Sequence, residues 1–205
     1  MDTCVIQNVK MKNTISSYQN FVLVSTSVLN IMNSNVAIFQ RRSKNGASSN
    51  LTFSCALNVL TVNIQNTSLN LTANGSTVSV VAINLLENSS LTCNNVTISG
   101  KIYAAIGSGL LILANKNSTI TVNYTFINAL LDIQSGGIIA YYVDSASSIY
   151  INSSNLSGYV MASASNKGYL VGTFLGISFQ VQQIYMCIYA ITDTMITGAF
   201  LGNTQ

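Results

Sequence analysis

The chain has no histidine, no tryptophan and no proline, and it carries few charges: eight Lys or Arg and five Asp or Glu in 205 residues. Without histidine there is no Ser-His-Asp or Cys-His triad, no HExxH metalloprotease helix and no imidazole general base. A net charge of +3 spread over the chain is a poor footprint for a polyanion, so no nucleic acid is expected as a partner. The acids are Asp2, Glu87, Asp132, Asp144 and Asp193. They supply neither an evident carboxylate pair nor the oxygen cluster of a calcium loop. Cys4, Cys55, Cys93 and Cys187 lack motif spacing, and no disulfide framework follows from them. No catalytic residue, cofactor or metal is therefore expected.

Long apolar runs are also missing. The least polar stretch, residues 169–191, is interrupted by Gln180, Gln182 and Gln183 and reads as sheet rather than as a membrane span. The opening MDTCVIQNVKMKNT shows no apolar core of a signal peptide. Two readings follow, a cytoplasmic protein or a piece of a longer exported one. What fills the space left by charge is small and polar: 25 Asn and 45 Ser or Thr, together 70 of the 205 residues. With 49% apolar residues the chain is nevertheless able to build a core, unlike a disordered polyelectrolyte.

Those residues repeat. The segments VNIQNTSLNLTA (62–73), LTCNNVTISGKI (91–102), ITVNYTFINALL (120–131) and IYINSSNLSGYV (149–160) each begin 29 residues after the last, without a gap. Val62, Leu91, Ile120 and Ile149 share a column, as do Ile64, Cys93, Val122 and Ile151. Apolar columns at steps of two are strands with one buried face. A second half-unit aligns Val81, Leu110 and Ile139. A short unit that buries its apolar face only by stacking on its copies is a solenoid. The expected fold is all-β: a single-stranded parallel β-helix (β-solenoid) of about 29 residues per coil, expected right-handed although the sequence does not fix the hand. Residues 1–50 are expected to form an irregular N-terminal coil or cap, in which LNIM (29–32) matches LNVL (57–60) at a spacing of 28. Its basic loop, 39–50, holds three of the eight basic residues. Residues 51–205 carry the solenoid, most regular over 62–160. Gly100, Ala129 and Gly158 are expected where the coil bends or its interior narrows.

The strongest polar column is Gln65, Asn94, Asn123 and Asn152. Amides in register hydrogen-bond from one copy to the next, as in cross-β ladders, although Asn also favours turns for its own reasons. Ten glycosylation sequons occur. Asn50, Asn66, Asn70, Asn74, Asn88, Asn95, Asn117 and Asn155 are candidate acceptors, whereas Asn123 and Asn152 belong to the amide column and could carry no glycan if that column points inward. Among the ten tyrosines, Tyr141, Tyr142, Tyr150 and Tyr159 are candidates for stacking on sugar rings, against the plain alternative that Tyr packs well on strand surfaces. Glu87, Lys116 and Ser145 share a phase, with Asp144 one residue off. That reads as a ladder of alternating charge rather than a catalytic pair.

SGLLILANKNSTITVNY (108–124), SGGIIAYYVDSASSIYINSS (135–154) and KGYLVG (167–172) resemble the GLUG-type repeat, a Gly-Gly-Leu-Val-Gly-like core followed by a polar link and a Ser/Thr-Ile-x-Asn-like strand. The likeness covers about residues 76–172 and more weakly 51–202, and VVAI (80–83) lacks the glycines. It implies a β-solenoid stalk of an adhesin or other cell-surface protein, with no catalytic residues to transfer. The functional expectation is a non-catalytic structural or adhesive segment, extracellular or at the cell surface, presenting an Asn/Ser/Thr-rich face. Its partners would be surface proteins, glycans or, through open solenoid ends, other copies of itself. A carbohydrate-binding β-helix module is the alternative, and a pectate-lyase-like polysaccharide-degrading enzyme ranks behind both.

Overall fold

A computed structural model describes residues 2–15, 21–24, 26–40, 52–144, 146–162 and 188–202. The described chain is one parallel sheet of 15 strands wound into a single-stranded solenoid. The first coil holds β1 (Thr3–Gln7), β2 (Lys10–Ile15) and β3 (Phe21–Val24), and the second opens with β4 (Val28–Met32) and β5 (Asn35–Gln40). β6 (Thr52–Ser79) and β7 (Ala82–Ser108) run unbroken through a bend, so each belongs to two coils. β8 (Leu111–Ala114), β9 (Thr119–Asn123), β10 (Phe126–Gly137) and β11 (Ala140–Val143) continue the winding. β12 (Ser148–Asn152) and β13 (Asn155–Ala162) begin the sixth coil, and β14 (Ile188–Thr192) with β15 (Met195–Gly202) the seventh.

The first five coils show three faces separated by bends, and the described parts of the sixth and seventh show the first two. β1, β4, residues 61–65 and 90–94, β9, β12 and β14 stack on the first face. β2, β5, residues 68–79 and 97–108, β10, β13 and β15 stack on the second. The third is built from β3, residues 52–59 and 82–85, β8 and β11. Thr61, Ser90, Thr119 and Ser148 pair in succession, each 29 residues from the last. The 29-residue coil read from the columns is therefore the structural one.

Outside that run the coil length changes. Thr3 pairs with Val28, Val28 with Thr61 and Ser148 with Ile188, offsets of 25, 33 and 40 residues. The first two coils thus differ in length from each other and from the 29-residue run. Leu29 faces Val62, so the spacing of 28 suggested by LNIM and LNVL is not the register; the longer coil accommodates extra residues between β5 and β6. The basic loop (39–50), the acceptor Asn50, KGYLVG (167–172) and most of the apolar stretch 169–191 lie largely or wholly outside the described residues. No helix among the described residues is long and apolar enough to cross a membrane.

Alternation produces the core. On the first face Leu29, Val62, Leu91 and Ile120 are fully buried, as are Ile31, Ile64, Cys93 and Val122. Leu69, Ile98, Ile127 and Leu156 do the same on the second face, and Val81, Leu110 and Ile139 at the bend between the second and third. Each such side chain contributes on the order of 1.5–3 kcal/mol by leaving water, and only because a neighbouring coil covers it. Cys93 occupies an aliphatic position, and burial pushes its thiol pKa up to about 12. It is a protonated core residue, not a nucleophile.

Leu71, Gly100, Ala129 and Gly158 form one column. A Cβ at Gly100 would collide with the carbonyl oxygen of Leu71, and one at Gly158 with that of Ala129. Gly158 also holds φ +148°. Gly100 and Gly158 therefore stand where the backbones of successive coils approach closely, while Leu71 fills the same column with a large buried side chain.

Candidate functional site

The surface chemistry is concentrated at the bends. The first bend, between faces one and two, places Asn8, Asn33, Asn66, Asn95, Tyr124, Ser153 and Asp193 at φ between 45° and 56°. The bend between the third face and the next coil holds Asn88, Asn117 and Ala146 at 55°, 58° and 56°. This left-handed conformation is costly for most L-residues, and Asn is among the few that tolerate it. A turn repeated at fixed phase therefore selects asparagine repeatedly, and the selected amides stack.

Stacking turns them into ladders. Asn66 Nδ2 donates to Asn33 Oδ1 at 3.2 Å, and Asn95 Nδ2 to Asn66 Oδ1 at 2.9 Å. At the other bend Asn117 Nδ2 donates to Asn88 Oδ1 at 3.1 Å. Two further ladders run from Asn63 to Asn30 on strand surfaces at 2.9 Å, and from Asn115, just past β8, to Asn84 to Asn58 at 3.4 and 3.0 Å. In each pair the later coil donates and the earlier accepts.

The residue after each left-handed position is usually a buried hydroxyl. Ser34, Thr67, Thr125 and Ser154 each donate to the carbonyl two residues back, at 2.7–2.8 Å. Ser34 N donates to Thr67 Oγ1, and Thr125 N to Ser154 Oγ, so the hydroxyls also join coil to coil. At the other bend Ser89 donates to the Glu87 carbonyl two residues back, whereas Ser118 and Ser147 donate to the Leu86 and Asn115 carbonyls of the preceding coil, and Ser118 N donates to Ser147 Oγ. Val96 breaks the first series: it is 2% exposed and offers no hydroxyl. Val96→Thr is expected to raise stability by about 0.5–1.5 kcal/mol, read as a higher denaturation midpoint. Its Oγ1 would donate to the Asn94 carbonyl and accept from Thr67 N–H.

Gln65, Asn94, Asn123 and Asn152 do stack in register. Gln65 and Asn94 are exposed, and Asn123 and Asn152 half-buried, so the column faces outward. The amide-to-amide bonds at this bend run one residue further on, through Asn33, Asn66 and Asn95. Asn152 Oδ1 instead accepts from Thr192 Oγ1 at 2.8 Å. Among the sequon residues, Asn66, Asn88, Asn95 and Asn117 are exposed at the bends, while Asn70, Asn74 and Asn155 are half-buried on the second face.

The four tyrosines singled out from the sequence do not form one cluster. Tyr141 and Tyr142 lie half-buried on the third face, on β11. Tyr150 is exposed on the first face and Tyr159 on the second, on either side of the first bend. Two aromatic residues that sequence reasoning passed over stand between them: Tyr124 at the bend itself and Phe126 at the start of β10. The readable signal was an aromatic residue interrupting the asparagine phase. Glu87 and Lys116 are exposed and Asp144 half-buried at the third bend. Among the described residues no three His, Cys, Asp or Glu come together as a metal-binding group. Compared with family models, curated proteins and solved structures, the chain matches none.

Proposed function

We propose that the chain is a non-catalytic structural and adhesive segment of a cell-surface or secreted protein, a stiff stack of coils presenting uncharged amides and hydroxyls. The observation that carries this reading is the run of outward polar side chains bonded from coil to coil, Asn33 to Asn66 to Asn95 above all. A surface with this chemistry is hydrated without being charged. The GLUG-like segments 108–124 and 135–154 support the adhesin-like class, and the exposed sequons at Asn66, Asn88, Asn95 and Asn117 suit a glycoprotein. Antibody labelling of intact source cells tests the location. Labelling of unpermeabilised cells, or recovery of the protein from the medium, is expected; signal only after permeabilisation would overturn the reading.

Carbohydrate binding is the second reading, favoured by Tyr150 and Tyr159 standing exposed on two adjoining faces. A lyase- or hydrolase-type activity has less support. Glu87 and Asp144 lie at equivalent bends two coils apart, roughly 10 Å, which is wider than the usual inverting pair of about 6.5–9.5 Å.

A further inference from the structure

Three outward columns around the first bend are mostly small or polar, and a fourth mixes Phe39, Thr72, Lys101 and Leu130. The column of Asn30, Asn63, Thr92 and Thr121 continues to Tyr150. The left-handed column of Asn33, Asn66 and Asn95 continues to Tyr124. Asn35, Ser68 and Thr97 continue to Phe126, and the column of Thr72, Lys101 and Leu130 to Tyr159. The exposed aromatic residues of these columns thus all lie in two adjacent coils, the fifth and sixth, whereas Phe39 in the second coil is half-buried. Each is exposed: Tyr124 63%, Phe126 38%, Tyr150 39% and Tyr159 56%. Strand geometry puts Phe126 and Tyr159 roughly 14 Å apart on the second face, with Tyr124 at the corner and Tyr150 beyond it.

Tyr124 stands there against local preference. Its φ of 48° is one an aromatic residue adopts only with strain, and its phenol cannot extend the amide ladder that reaches Asn95. A strained residue whose side chain is left in water gains no packing in return, which points to a surface role. Between the rings lie uncharged groups, among them exposed Asn128 and half-buried Asn152 and Asn155. Asn155, one coil on from Phe126, holds a buried side-chain oxygen with no hydrogen-bond partner. Such an acceptor is under-satisfied until a donor reaches it.

We propose that Tyr124, Phe126, Tyr150 and Tyr159 form a binding strip for a neutral oligosaccharide of β-linked, gluco-configured sugars. The inference rests on the surface-presenting, carbohydrate-binding reading above and names its site and ligand class. Such sugars carry their hydroxyls equatorially, leaving flat C–H faces for the rings and a rim of hydroxyls for the amides. The groups between the rings are uncharged and fit an uncharged chain, with the carboxylate of Asp132, beyond Leu130 on β10, at the strip's edge.

Titration of the full chain with cellohexaose and with chitohexaose tests this, read by calorimetry and by tyrosine emission, which no tryptophan obscures. At least one of the two is expected to bind. Tyr124→Asn should weaken that binding tenfold or more while raising the melting temperature, because it restores the residue the turn favours. Tyr159→Ala should also weaken binding, and Tyr141→Ala, on the third face, should leave it unchanged. Failure of the folded wild-type chain to bind either hexasaccharide would overturn the proposal, as would binding insensitive to Tyr124→Asn. Concentration-dependent dimerisation abolished by Tyr124→Asn, without sugar binding, would assign the strip to a second copy instead. Surface labelling of intact cells is independent of all these outcomes, so the location reading stands or falls separately.

Discussion

Replacing Asn66 and Asn95 together by aspartate is expected to lower stability at pH 7 by about 2–3 kcal/mol, and acidification to return part of it. Two amide donors are lost, Asn66 to Asn33 and Asn95 to Asn66, each contributing about 1 kcal/mol. Two carboxylates then stand on adjacent coils, about 4.8 Å apart along the stack, repelling by about 1 kcal/mol in a water-like dielectric. The single change Asn66→Asp is milder, because Asn95 Nδ2 still donates to it. The double-mutant cycle should therefore show a loss greater than the sum of the singles. Repulsion favours the protonated form, so the folded-state pKa values rise above the unfolded value near 3.9. The folded state then binds more protons, and the repulsive penalty grows as pH rises from about 4 towards 7. Urea denaturation midpoints at pH 4 and pH 7 read this directly, and an additive, pH-independent cycle would contradict it.

The second large effect is steric. Gly158→Val is expected to destabilise by about 3–5 kcal/mol, combining backbone strain with overpacking. Its φ of +148° is poorly accessible to valine, and a Cβ would press on the Ala129 carbonyl oxygen of the preceding coil. Neither clash is relieved by a side-chain rotation, since both partners are backbone. Thermal denaturation measures the loss. A variant within about 1 kcal/mol of wild type would show that the fifth and sixth coils do not approach as closely as the paired column requires.

The regular part of the solenoid was legible because each coil there repeats the same period-two alternation at 29 residues. Val62, Leu91, Ile120 and Ile149 name one buried column on sight, and the structure pairs them in succession. The unequal coils were not legible in the same way. Leu-Asn recurs at 29–30, 57–58 and 69–70 in a chain rich in Asn, so LNIM and LNVL aligned at 28 where Leu29 pairs with Val62. The bonded rungs of the amide ladder were hidden for a different reason. Gln65–Asn66 and Asn94–Asn95 place two amides side by side, and only the backbone conformation shows which of each pair turns left-handed and meets its copy. The aromatic strip was half-legible. Tyr150 and Tyr159 drew notice as tyrosines, but Tyr124 matters because of the column it interrupts.

The scarcity of charge now has a physical origin. A residue on this surface faces its own counterpart one coil away, and a charge repeated there repels itself, whereas Asn, Ser and Thr donate and accept along the stack. Of the five acids, Asp193 takes the left-handed position of the last described coil. Glu87 and Asp144 flank Lys116 at successive bends.

Pulsed electron-electron resonance between nitroxides on one outward column tests the stack itself. Asn30, Asn63, Thr92, Thr121, Tyr150 and Ala190 occupy equivalent positions on consecutive coils. With the four native cysteines replaced, pairs 30/150 and 30/190 should give backbone separations of about 19 and 24 Å, a step of about 4.8 Å per coil. That step should hold although the two sites differ by 40 residues in sequence. Separations that grow with sequence distance instead of coil number would contradict the parallel solenoid.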